Sequence, residues 1–209
     1  MSKAILISIQ PKWCELIASG KKTVEVRKTK PKLSTPFKVY IHCTNDFSNH
    51  ATKSRRNKFW VGEPINDMSK GRYLGNGKVI GEFVCNKIDR ITHCGTCNND
   101  IRLNIVDINL YLKELDYEYL NKCKLSYYDL EKYSNGGSLY GWHISDLVIY
   151  DEPKELSEFH NFCETYPCCD ESCEYYSWTV EGGTECMCDT EKPFKRPPQS
   201  WCYVEELKI

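Results

Sequence analysis

The stretch that most constrains this chain runs from Ile5 to Lys28, ILISIQPKWCELIASGKKTVEVRK. Its first residues are apolar and β-branched, which predicts a buried strand. Pro11 suits the first turn of a helix, and Gly20 suits the left-handed residue that ends one. The residues after the glycine alternate in polarity, so a second strand with one polar face is expected. A strand that carries charge on one face lies at the surface or lines a wet cavity.

The polar residues of this turn and second strand are candidates for a ligand-binding wall: Lys21, Lys22, Thr23, Glu25 and Arg27. Glu25 would be held in place and ionised by the arginine, so it could orient the edge of a base or activate water. A lysine crowded by other cations can act as a base or nucleophile. Lys22 and Glu25 are therefore the catalytic candidates if the protein is an enzyme. The alternative is a cross-strand charge ladder that only contributes to stability.

Charge is unevenly distributed along the chain, although the formal net charge is only −1. Residues 21–58 contain eleven lysines and arginines against two acids, and residues 151–191 contain twelve acids against one lysine. A basic surface suggests an anionic partner, most often a polynucleotide, whereas a charge run can equally be a solvated face. Aromatic and cationic side chains interleave in the basic part, where the ligand-binding candidates are Arg55, Arg56, Lys58 and Trp60.

Hydrophobic periodicity predicts an α+β, mainly β fold. A third strand is expected over residues 37–43, and the polar side of that strand carries His42, a further ligand-binding candidate. The second and third strands could pool their polar faces if they were adjacent. Further strands are expected over residues 78–91, over residues 139–150 and at the C-terminus, and short helices over residues 126–133 and 153–162.

These elements predict a main domain and an appendage. The main domain is expected over residues 1–152, with a long basic loop at about residues 45–77. An acidic, cysteine-rich extension follows over residues 153–198, and residues 199–209 form a closing strand. No apolar run is long enough to cross a membrane, and the first residues are too short for a secretory signal. We therefore expect a cytoplasmic protein without a membrane partner.

Thirteen cysteines, an odd number, argue against a fully paired disulfide scaffold. Four of them have apolar neighbours and are expected to be buried free thiols: Cys14, Cys43, Cys85 and Cys123. Cys94 and Cys97 have the spacing of half a zinc knuckle. A further six, here called the C-terminal cysteine cluster, are Cys163, Cys168, Cys169, Cys173, Cys186 and Cys188. Four of these six could bind one structural zinc that staples a segment too polar to fold by burial, and free thiols are the alternative. No organic cofactor is expected.

The pattern from Ile7 to Lys28 resembles the opening signature of the ASCH domain, a branch of the PUA-like β-barrel superfamily. The later segments GKVIGEFVCNKI and RPPQSWCYVEE fit the same fold, and the second is similar to the larger ASCH proteins of Gram-positive bacteria and their phages. The resemblance implies a small barrel with a cleft beside the Gly20 turn and a role in binding RNA or a modified nucleoside.

The same resemblance implies two other functions. Some small members are amidohydrolases that act on acetylated cytidine, and one is described as a ribonuclease. Their functional lysine corresponds to Lys22, but Glu25 occupies the place of their threonine. The last alternative is a phage-encoded interaction protein that engages a host component.

Overall fold

A computed structural model describes residues 2–45, 58–61, 73–93, 103–106, 112–162, 176–178, 184–186 and 193–207. The described strands are β1 (Lys3–Ile9), β2 (Val24–Arg27), β3 (Phe37–Cys43), β4 (Trp60–Val61), β5 (Tyr73–Leu74), β6 (Val79–His93), β7 (Leu103–Val106), β8 (Leu112–Glu114), β9 (Leu139–Lys154), β10 (Tyr176–Trp178), β11 (Thr184–Cys186) and β12 (Trp201–Glu205). The described helices are α1 (Pro11–Ala18), α2 (Tyr117–Cys123), α3 (Tyr127–Ser134) and one 3-10 turn, Leu156–Glu158. The prediction of a mainly β fold with short flanking helices is confirmed.

The opening segment folds as its sequence predicts. Helix α1 starts at Pro11 and is capped by Ser19. Gly20 follows with a φ of +70°, the left-handed conformation that favours glycine. The amide of Lys22 then donates to the carbonyl of Leu16 (2.9 Å), which turns the chain back beneath the helix. This turn delivers β2 with its charged residues next to the end of α1.

One eight-stranded sheet contains β1 and β2 together with the two long strands β6 and β9. β1 is parallel to β3 and antiparallel to β12. The first half of β6 pairs with β3, its second half pairs with β7, and β9 runs along its other side. Three register shifts interrupt the β6–β9 ladder, which is how a long strand pair bends. β2 pairs with the far side of β9.

The sheet does not close into a barrel among the described strands, which corrects that part of the prediction. Two of its edges, β12 and β2 with the loop that follows it, are joined by side chains instead of a backbone ladder. The indole of Trp201 donates to Thr29 Oγ1 (2.9 Å), and the amide of Lys32 donates to the hydroxyl of Tyr203 (2.8 Å). Arg27 Nη2 donates to the carbonyl of Ser8 (2.6 Å). A gap therefore stays open between the ends of β1 and β2.

Two further expectations are wrong. Strands β2 and β3 do not pool their polar faces, because β2 pairs with β9 whereas β3 lies between β1 and β6. Residues 153–162 do not form a helix: β9 continues to Lys154, and only the 3-10 turn follows. Phe159 is fully buried against Tyr40 and Val204, so this apolar residue packs on a face of the sheet and does not belong to an apolar side of a helix. The short helix expected over residues 126–133 is confirmed as α3, with the capping box of Ser126 and Asp129.

Candidate functional site

The open gap between the sheet edges is a cleft of about 420 Å³. The ends of β1 and β2 supply one side of it, together with Trp13 of α1 and Gln10, the residue that precedes this helix. Leu125, in the loop between α2 and α3, and Tyr133 of α3 lie opposite, and Gln199 precedes β12 at the rim. The cleft therefore collects residues from distant parts of the chain, as binding sites commonly do.

Three of the predicted wall residues meet in this cleft as one ion network. The Glu25 carboxylate lies 3.4 Å from Lys22 Nζ through one oxygen and 3.1 Å from Arg27 Nε through the other. The three side chains are between 2% and 11% exposed. The Arg27 contact is ionic without an aligned hydrogen bond from Nε. Two cations therefore hold one carboxylate in the cleft wall.

The ammonium group of Lys22 is already engaged by two backbone carbonyls and one carboxylate. It donates to the carbonyls of Val24 (2.9 Å) and Cys123 (2.6 Å), besides its contact with Glu25. Cys123 is the last residue of α2, where backbone carbonyls lack helical partners and favour a cation. Through its two hydrogen bonds and its ion pair, Lys22 ties β2 to α2 and positions Glu25.

Two aromatic rings line the same cleft. Lys12 Nζ lies 4.4 Å and Lys22 Nζ 5.1 Å from the centre of the Trp13 ring. Lys28 Nζ lies 5.1 Å from the centre of the Tyr133 ring. Burial raises the pKa of Tyr133, and the charges of Arg27 and Glu25 reach its hydroxyl with opposite effects. The cleft thus offers aromatic surface next to paired charges.

The other predicted ligand-binding residues lie elsewhere. Lys21 and Thr23 are exposed on either side of the buried Lys22. His42 is 1% exposed, and burial lowers its pKa. Lys58 and Trp60 are exposed, and neither belongs to the cleft lining. Arg55 and Arg56 lie outside the described residues.

A second polar cluster lies on the opposite face of β9, and the sequence analysis missed it. Asp89 is 2% exposed, contacts His143 Nε2 through one oxygen, and lies 2.9 Å from Lys87 Nζ through the other. Burial alone would raise the pKa of Asp89, but the hydrogen bonds from His143 and Lys87 outweigh burial and lower it. Only the pairing of Asp89 with Gly141 across two strands brings these residues together.

The described cysteines behave as ordinary buried thiols. Cys14, Cys43, Cys85 and Cys123 are free and buried, as predicted. Burial raises the pKa of Cys85 and of Cys123 to about 12.

The predicted metal ligands cannot be compared with the structure in the same way. Cys94, Cys97 and the C-terminal cysteine cluster lie outside the described residues, except for the backbone of Cys186. Within the described part of the chain, no three His, Cys, Asp or Glu side chains group in a way that could hold a metal ion. No described helix is long and apolar enough to cross a membrane.

The sheet, the short helices and the charged cleft beside the glycine turn define a mainly β protein whose described part contains an open polar cleft. The family model for the ASCH domain matches residues 7–185, and the chain belongs to this family.

Solved structures of ASCH proteins are also similar. The ASCH protein of Zymomonas mobilis is 19% identical with a TM-score of 0.38, over 72% of this chain and 69% of that one. A tyrosine-to-phenylalanine mutant of that protein is 20% identical with a TM-score of 0.39, over 73% of each chain. No curated protein matches the sequence.

Proposed function

We infer that the cleft binds an unpaired base, presented by RNA or by a modified nucleoside. The observation that carries this proposal is the meeting of Glu25 and Arg27 with the rings of Trp13 and Tyr133 in one open cleft. Membership of the ASCH family, whose domains are PUA-like and generally bind RNA, supports it.

The chemistry of the wall suits the edge of a base. An ionised carboxylate accepts hydrogen bonds from amino and imino groups, and a guanidinium donates to carbonyl oxygens and ring nitrogens. Unpaired bases are also commonly recognised by stacking on aromatic side chains. The volume of about 420 Å³ falls within the range of small-ligand sites. In this proposal Glu25 and Arg27 contact the base, and Lys22 positions Glu25.

The enzymatic alternative stays a prediction. Hydrolysis of acetylated cytidine, or cleavage of RNA, by Lys22 and Glu25 would require the ammonium of Lys22 to leave two carbonyl acceptors and its ion pair with Glu25. Product formation by the purified protein that disappears in Lys22→Ala would favour it. The phage-encoded interaction protein likewise stays a prediction, and so does the structural zinc of the C-terminal cysteine cluster.

The test compares two tyrosines on one helix. Tyr133 lines the cleft, whereas Tyr128 is 67% exposed and does not. A stacked base contributes roughly 1–3 kcal/mol per aromatic ring, so Tyr133→Ala should weaken binding of a single-stranded oligoribonucleotide about tenfold. Tyr128→Ala should leave it unchanged. Titration of the full chain with labelled RNA measures both, and equal effects of the two substitutions would contradict the proposed site.

A further inference from the structure

Two exposed lysines lie over aromatic rings of the cleft lining instead of pairing with carboxylates. Lys12 lies over Trp13 and Lys28 over Tyr133. Neither forms an ion pair with any carboxylate in the described part of the chain, whereas Lys38 and Lys78 do so elsewhere on the sheet. Their positive charge is therefore available at the cleft.

The two lysines occupy ring surface that a base would need. An exposed contact between a cation and an aromatic ring is weaker than the stacking of a base on that ring. A base that enters the cleft would consequently displace the ammonium groups from Trp13 and Tyr133. Both lysines have long flexible stems, so they would stay beside the ligand as mobile cations.

The charge around the entrance stays positive after this exchange. The fields of Lys12 and Lys132 both act on Asp129, which places α1 near α3 at this entrance. One oxygen of Asp129, Oδ2, accepts from the amide and from the hydroxyl of Ser126 (3.0 and 2.6 Å), and these hydrogen bonds lower the pKa of the carboxyl group. Because Asp129 is exposed, water and salt screen its attraction for Lys12, and a phosphate beside the bound base can compete with it.

We propose that the ligand is a single strand of RNA rather than a free nucleoside, and that Lys12 and Lys28 exchange aromatic rings for the phosphates on either side of the bound base. This inference rests on the proposed function, since it assumes that a base occupies the cleft. It adds the polymer, the two phosphate contacts and the residues that make them.

The first measurement separates the base from its phosphates. A nucleoside and the matching trinucleotide, which has a phosphate on each side of its central base, are titrated at 50 and 200 mM salt. Each phosphate contact to a single strand contributes about 0.7 to the logarithmic salt slope. Two contacts predict about sevenfold weaker binding of the trinucleotide at the higher salt. The affinity for the nucleoside should hardly change between the two salt concentrations.

The second measurement tests the exchange itself. Lys12→Gln and Lys28→Gln should each weaken binding of the trinucleotide. In each variant the higher salt should lower the affinity about threefold instead of about sevenfold. The same variants should bind the nucleoside about twofold more tightly, because the base no longer has to displace an ammonium group from the ring. Lys154→Gln is the matched control, since Lys154 lies over Tyr150 outside the cleft. Opposite effects on two ligands cannot come from a loss of folding.

The outcomes are distinct. The proposal is supported if the higher salt weakens trinucleotide binding about sevenfold, and if Lys12→Gln and Lys28→Gln each weaken binding of the trinucleotide but strengthen binding of the nucleoside. Equal affinity and equal salt dependence for the nucleoside and the trinucleotide would overturn it and leave the base site intact. Weakened nucleoside binding in Lys12→Gln and Lys28→Gln would also overturn it. If neither ligand binds, the proposed function fails together with this inference.

Discussion

Glu25→Gln tests the ion network, because it keeps the shape of the side chain and removes its charge. The carboxylate is 8% exposed and contacts Lys22 and Arg27, whose side chains are 2% and 11% exposed. Removing one partner from a buried ion pair costs about 3–5 kcal/mol, since a buried charge is left uncompensated. Lys22 keeps two carbonyl acceptors and Arg27 keeps Ser8. The cost should therefore lie near the lower limit, at about 3 kcal/mol.

Urea unfolding of the wild type and the variant measures this cost as a shift of the midpoint at unchanged slope. The melting temperature should fall by roughly 6–12 °C for a chain of this length. Glu118→Gln is the control, because Glu118 is 74% exposed and pairs with Lys122 on the surface. Glu118→Gln should lower the free energy of unfolding by no more than about 0.5 kcal/mol. A loss below about 1 kcal/mol for Glu25→Gln would refute the reasoning that the carboxylate holds two buried cations.

Three other predictions concern packing, pH and metal. Gly141→Ala should cost at least about 2 kcal/mol in free energy of unfolding, because the new methyl group would overlap the hydroxyl of the buried Tyr119. Gly137→Ala, whose methyl group would meet only a carbonyl oxygen at 3.4 Å, should stay within about 0.5 kcal/mol. The pKa of Asp89 is lowered in the folded protein. The ionised carboxylate therefore contributes fully to the free energy of unfolding above the unfolded pKa of about 4, and this contribution is lost as the pH falls through the folded pKa. Urea midpoints between pH 5 and pH 3 should consequently fall less steeply in Asp89→Asn, and equal slopes would contradict this. Metal analysis of purified protein should find about one zinc per chain, and a value well below one would exclude the predicted staple.

Local pattern was enough to predict the turn and its wall. Pro11 and Gly20 mark the ends of α1 through backbone preferences that act within a few residues. The alternation after Gly20 correctly placed Glu25 and Arg27 on the same side of β2. Such features depend on neighbouring residues only, so they are legible in a single sequence.

The role of Lys22 depends on contacts that no local pattern contains. One of its acceptors is the carbonyl of Cys123, 101 residues further along the chain. The sequence analysis predicts no helix over Tyr117–Cys123, the segment that forms α2. Without that helix, Lys22 was a candidate base or nucleophile, whereas in the structure two backbone carbonyls and the Glu25 carboxylate engage it.

Strand pairing explains the remaining differences. His42 seemed to share a polar face with β2, but the partner of β2 is β9 and the histidine is buried. His143 is not among the predicted site residues, yet β6 brings Asp89 beside it from 54 residues away. In both cases the partner strand decides the environment of the side chain, and sequence periodicity predicts a strand without predicting its neighbour.

The central claim is that an unpaired base occupies the cleft between Trp13 and Tyr133. A crystal structure of the protein with a single-stranded trinucleotide tests it most directly. The account predicts the central base stacked on at least one of these rings, with its edge hydrogen-bonded to Glu25 or Arg27. Electron density for the RNA on another surface, with the cleft unchanged, would contradict it.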